Sequence, residues 1–337
     1  MHALDWIIPF AVAAVMLFPY LYLRLFHVNI PRMQRRFRGS GRNFFSRRFP
    51  LILHAFLTGN NRAAAPIYDA DELSRSLDRD FDAFYRGFAY EGTGLAFGAR
   101  AWLRPKPGRH FEYQMHRLAP KYLYQYYVGL GWFLHMRYGF RFGGYRRWLR
   151  TLDPRYAAIV FDGVGFKTFL FQYLQNKEVV RKFSRFDRHY QRVCFQGAGR
   201  ALWFLHEFDL NKAIAEIQYL PSAYRQDVYS GLGLAVAYSI FDNMAFSEHA
   251  ETQVPACYRL AFRQGLAFGW EARRLQDRDY WEQQIDKQSP SRSWRAERCV
   301  KAVHQAREML DADGAGANDQ YYARWMDETR IRMGDIA

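Results

Sequence analysis

Six glycines recur along this chain at a nearly fixed step. They are Gly92, Gly129, Gly163, Gly197, Gly231 and Gly265, separated by 37 residues and then four times by 34. Two positions after each stands another small residue: Gly94, Gly131, Gly165, Gly199, Gly233 or Ala267. Seven positions before each stands a tyrosine: Tyr85, Tyr122, Tyr156, Tyr190, Tyr224 or Tyr258. A period of this size marks a repeat architecture, in which each unit buries its apolar face only against its neighbours.

Each unit reads as a long helix, a turn and a shorter helix. Pro120 and Pro154 fall two residues before their tyrosine, and Pro221 and Pro255 three before. Proline is tolerated in the first turn of a helix, where its missing N–H has no partner to lose. About twenty residues then follow with no breaker except glycine, and a second segment such as 210–220 fits a short helix. A strand competes for VYSGLGLAVAYSIF, which is rich in aromatic and β-branched residues. Helix wins on spacing: Tyr224 and Gly231 lie seven apart on one face, and Gly231 and Ala235 four apart. A mid-helix glycine is unfavourable by roughly 0.5–1 kcal/mol, so six of them imply closely approaching backbones. The tetratricopeptide period is also 34, but its tryptophan, Leu-Gly and alanine pattern is missing.

The expected fold is therefore all-α: a helical-repeat array, solenoid-like or a closed bundle, of about six helix-turn-helix units of 34 residues. It is preceded by an N-terminal membrane helix. Residues 70–84, 291–311 and 320–332 read as further helices, the last as a cap with a polar outer face. Residues 311–319 read as a loop. The segments are 1–26 (membrane anchor), 27–69 (basic juxtamembrane stretch), 70–290 (repeats) and 291–337 (capping helices).

The anchor is read from Trp6 to Leu23, eighteen positions without a charge and flanked by Trp6, Tyr20 and Tyr22. Positive charge follows the apolar run, the reverse of a signal peptide. A buried core helix or an interfacial one is the competing reading, helped by Pro9 and Pro19. From Trp6 to Tyr68 the chain has no acidic residue and nine arginines. Arg32, Arg35, Arg36 and Arg38 are expected to lie on anionic headgroups, each contributing on the order of 1 kcal/mol. The positive-inside rule then implies a single pass through the inner (cytoplasmic) membrane, with the bulk of the chain cytoplasmic. Nucleic acid is the weaker partner, since no zinc-finger, RNP or helix-turn-helix signature accompanies the arginines.

Chemistry is harder to place. The residues just before the opening glycines are Glu91, Val128, Asp162, Gln196, Ser230 and Gln264. If that column faces inward, Glu91 and Asp162 are candidate acid–base carboxyls with raised pKa, although such residues more often hydrogen-bond across neighbouring helices or point to solvent. Beside it runs an aromatic column, Tyr90, Tyr127, Phe161, Phe195 and Tyr229, suited to an apolar groove. The tyrosines at the minus-seven position read as packing devices whose hydroxyls cap neighbouring backbone. Gly-x-Gly recurs, yet no copy completes G-x-G-x-x-G after a strand: Phe97 stands where the third glycine belongs. Three scattered cysteines exclude a disulfide framework, and the ten histidines form no metal-binding motif. Neither a cofactor nor a metal is expected.

The runs FLTGNNRAAA (56–65), FYRGFAYEGTGLAFG (84–98), YYVGLGWFL (126–134), VFDGVGFKTFLF (160–171), QGAGRALWF (196–204), YSGLGLAVAY (229–238) and FRQGLAFGWEAR (262–273) resemble a bacterial family of unknown function. Its members are often encoded beside enediyne polyketide synthases, and the likeness spans about residues 27–335. It implies an accessory role in handling a polyene, and supplies no catalytic residues to carry over. The apolar segment ahead of the basic region departs from that family's usual start. Two functions follow as expectations. One is a membrane-anchored scaffold that binds a partner protein or an apolar ligand, polyene or lipid-like. The other is an enzyme or enzyme subunit acting on such a chain in an aromatic-lined groove.

Overall fold

The recurring tyrosines mark where long helices begin. The computed structural model describes residues 17–37, 44–314, 316 and 318–336. Tyr122, Tyr224 and Tyr258 each close a 3-10 turn, over Pro120–Tyr122, Ser222–Tyr224 and Ala256–Tyr258, and a helix starts at the next residue. The prolines therefore open separate tight turns rather than the long helices themselves. Two other starts are capped by aspartate: Asp82 accepts from the Tyr85 N–H, and Asp153 from the Arg155 N–H. Such caps satisfy backbone donors that have no partner inside the helix.

Seven helices form the frame: α1 Phe44–Ala63, α2 Ala83–Trp102, α3 Leu123–Tyr138, α4 Val160–Thr168, α5 Arg188–Leu205, α6 Arg225–Ser239 and α7 Arg259–Gln276. Two more follow, α8 Pro290–Ala312 and α9 Tyr321–Arg332. Short helices link them, such as Leu210–Ile217 between α5 and α6. A π-helical turn, Phe169–Tyr173, continues α4. The fold is all-α, with no strand among the described residues.

Glycine is used here for close approach. The opening glycines of α2 to α7 face carbonyl oxygens of the preceding frame helix: Phe56, Glu91, Val128, Asp162, Gln196 and Ser230 in turn. The second glycines of α2 to α6 face the next helix, at Tyr126, Val160, Cys194, Val228 and Phe262. A Cβ at any of these would fall within 3.0 Å of its neighbour's backbone. Gly59 meets Ala89 in the same manner, so α1 docks as the later helices do, although its spacing hides it in the sequence.

The tyrosines pack one ring against the preceding unit. Tyr122 stacks on Tyr90 (3.9 Å), Tyr190 on Phe161 (4.2 Å), Tyr224 on Phe195 (4.4 Å) and Tyr258 on Tyr229 (4.6 Å). Tyr156 leans on Tyr127 at 6.1 Å. Ring stacking, rather than hydroxyl capping of backbone, is their contribution: the Tyr224 hydroxyl donates to the Gln191 side chain at 2.7 Å.

The two ends of the frame meet. Arg273 of α7 is buried and donates to the carbonyls of Phe84 at the start of α2 and Tyr238 at the end of α6. Arg48 of α1 pairs with Asp242, just past α6. Glu271 of α7 accepts from the Tyr124 hydroxyl of α3 at 3.2 Å.

At the C-terminus, α9 buries Tyr321, Tyr322, Trp325 and Met326, with Tyr322 and Trp325 inserted into the interior, and keeps Arg324, Asp327 and Glu328 partly exposed. The basic stretch 27–69 is not a separate surface arm, because Phe45, Phe49, Ile52, Leu53 and Phe56 of α1 join the common core. The apolar run 6–23 lies mostly outside the described residues, and so does Arg38. Residues 17–24 are helical, and Tyr22 stacks on Trp102 at 5.3 Å. Among the described residues no helix is long and apolar enough to cross a membrane. Arg32, Arg35 and Arg36 are exposed on the short helix Ile30–Arg36.

Candidate functional site

Close glycine contacts hold α1 to α7 in register, and the register decides what points inward. The position before each opening glycine is buried in all six units. Glu91, Val128 and Asp162 reach a cavity lined by α2 to α7 and α9, with about 50 Å³ open to the centres of water molecules. That is room for a few waters. In the other units, Gln196 donates to Ser230 at 3.1 Å and accepts from the Tyr322 hydroxyl at 3.0 Å. The amide of Gln264 is buried with no hydrogen-bond partner.

Arg200 ties the two carboxyls together. Its guanidinium hydrogen-bonds Asp162 and lies 3.7 Å from Glu91, and all three side chains are buried. Burial pushes the Glu91 carboxyl up to about 7; Arg200 opposes the rise, and the neighbouring Asp162 charge adds to it. Burial also raises Asp162, against the pull of the same arginine. Arg200 itself loses solvation, but Asp162 and Glu91 more than offset this and hold it charged. Asp162 Oδ2 and Arg200 Nε have no hydrogen-bond partner although both are buried.

A third carboxyl completes the set. Glu271 of α7 faces the same cavity, and burial lifts it to about 7 against Arg307 and the Tyr124 hydrogen bond. The walls between these groups are apolar or aromatic: Leu234, Phe268 and Trp325, with the Tyr238 and Tyr322 rings. Carboxyls near neutrality beside a fixed cation are suited to proton transfer, because one stays ionised by its partner while another keeps its proton.

The structure brings Glu91 and Asp162 together and leaves the aromatic column elsewhere. Tyr90, Tyr127, Phe161, Phe195 and Tyr229 do not line the cavity; they are buried between units as stacking partners of the next tyrosine. The reason is helical geometry: a step of one residue turns about 100° around the axis, so columns one apart cannot share a face. Arg200, Glu271, Tyr124, Tyr322 and Trp325 went unread in the sequence. Arg200 left one signal. It lies 38 residues after Asp162, one repeat plus one helical turn, in an otherwise uncharged run.

Other candidates disperse. No group of three or more His, Cys, Asp or Glu side chains that could hold a metal occurs among the described residues. His135 is buried and burial drives it down to about 3, which keeps its ring neutral. The Cys194 thiol is buried and pushed up, the opposite of an activated nucleophile. No curated protein and no solved structure matches the chain. One family model does, over residues 24–332, and by it the chain belongs to the family described as a protein of unknown function, DUF1702.

Proposed function

We propose that this protein is an accessory enzyme, or an enzyme subunit, that performs acid–base chemistry on the reacting end of a polyene or lipid-like chain. The observation that carries this is the convergence of Glu91 and Asp162 on Arg200, in one aromatic-walled cavity that Glu271 also lines. Maintaining buried charge is expensive unless it is paired, so three carboxyls gathered on one cavity need a reason beyond packing. In this reading the six units and α1 form one closed helical array, supported by the repeated glycine-to-carbonyl contact. Residues 6–23, with the exposed Arg32, Arg35 and Arg36, attach it to the cytoplasmic face of the inner membrane. The resemblance to proteins encoded beside enediyne polyketide synthases supplies the substrate class.

The small volume of the cavity favours a second reading: a membrane-anchored scaffold that binds an apolar ligand or a protein partner without catalysis. Full-length Glu91→Gln and Asp162→Asn variants in the native host separate the two. Loss of the polyene product, with folding intact by circular dichroism, supports the enzyme. Unchanged product from both variants sinks the acid–base reading and leaves the scaffold.

A further inference from the structure

A second cavity lies between α1 and α3 and shares no lining residue with the carboxyl cavity. Leu53 and Leu57 of α1, Trp132 and Met136 of α3, and Phe171 of the π-helical turn line it, and about 240 Å³ is open to the centres of water molecules. Its lining is almost wholly apolar, with Asn60 and a single cation, Lys167. The Lys167 ammonium lies 5.7 Å from the centroid of the Phe171 ring, and the Arg36 guanidinium 5.4 Å from the same ring. Among the described residues no carboxylate lies within ion-pairing distance of either cation. Burial pushes the Lys167 amine down to about 8, with no neighbouring charge contributing to the shift.

A cation kept in an apolar cleft without a counter-ion is a standing electrostatic deficit, which an anion on a hydrocarbon tail removes. The local backbone points the same way. Lys167 sits one turn before Phe171 in a helix that widens to π-form between Phe169 and Tyr173, and π-helical turns gather at functional sites. That widening carries Phe171 against Trp132, edge-on at 5.7 Å, where it forms the floor beneath both cations.

We propose that this cleft binds a free long-chain carboxylic acid, its tail along Leu53, Leu57, Trp132 and Met136 and its carboxylate paired with Lys167, with Arg36 at the mouth. The site stands apart from the interior carboxyls, so its failure and that of the acid–base reading are separable: Glu91→Gln leaves it intact. The test is calorimetric titration of the full chain in phosphatidylcholine nanodiscs, empty discs subtracted, with dodecanoate against dodecanol. Wild type is expected to prefer the acid by about tenfold, the scale of one charge-assisted hydrogen bond. Lys167→Met abolishes that preference and leaves dodecanol binding unchanged, while Lys167→Arg retains it. Met136→Trp, a substitution at a half-exposed position of the mouth, weakens both ligands. Equal affinity of wild type for acid and alcohol, an unchanged preference in Lys167→Met, or no binding above empty discs overturns the proposal.

Discussion

Glu91 shows how one residue's place on a packed helix becomes a titration property. Its helix is fixed by Gly92 against α1 and by Gly94 against α3, and the carboxyl between them is buried. Its folded pKa of about 7 stands above the ordinary 4.5. Between those values the folded state binds more protons than the unfolded one, so this group's contribution is fully favourable below about 4.5 and declines as pH rises to 7. The gap of roughly 2.5 pH units corresponds to about 3 kcal/mol. Glu91→Gln, an isostere of the protonated acid, should therefore match wild type in urea denaturation at pH 4 and exceed it by that order at pH 8. A stability difference independent of pH would contradict the buried, raised carboxyl. The polar column itself was legible from residue spacing. What the column meets was not, because Arg200 and Glu271 reach it from helices one and three units away from Asp162.

At the scale of the helix, the seam between neighbours is what the repeated glycines maintain. Gly231 faces the Gln196 carbonyl so closely that an added methyl has no room, and the obstacle is backbone. Gly143, in the short helix Phe142–Leu149, has nothing within 4 Å of its Cβ position. The same substitution should thus act in opposite directions. Gly231→Ala is expected to destabilise by about 3 kcal/mol or more through forced separation of α5 and α6. Gly143→Ala should be neutral or stabilise by up to about 1 kcal/mol, since alanine lowers the entropy of the unfolded chain. Thermal melts of the two variants decide it, and equal losses would remove the close-packing argument. Helix starts were legible from proline and tyrosine, and the 3-10 form of those starts was not. How far α9 inserts was not legible: its charges Asp327 and Arg330 pair with Arg192 and with the buried Asp227, while Tyr322 and Trp325 turn inward.

For the whole molecule, closure rests on contacts between residues far apart in sequence. Arg273 is the clearest of them, with its guanidinium 3.8 Å from the Tyr238 ring centroid and hydrogen-bonded to carbonyls of α2 and α6. Arg273→Met keeps the bulk and strands the Tyr238 carbonyl in the last turn of α6, unfavourable by about 1–3 kcal/mol, while also releasing Phe84. A lowered melting temperature is expected, with faster amide exchange concentrated at residues 83–88 and 236–242. Exchange unchanged at those two segments would show that Arg273 does not hold the ends together. Arg273→Lys should fail as well, because one ammonium lacks the planar fork that spans two acceptors. By itself the sequence determined the helical class and the period, because both follow from residue spacing along the chain, while the burial of the polar column came from how the helices pack. Tertiary structure alone decided that the ends meet, that α9 fills the interior, and that carboxyls and cations from separate units share cavities. Those outcomes depend on the angle between successive helices, which accumulates over seven of them and is written in no single unit.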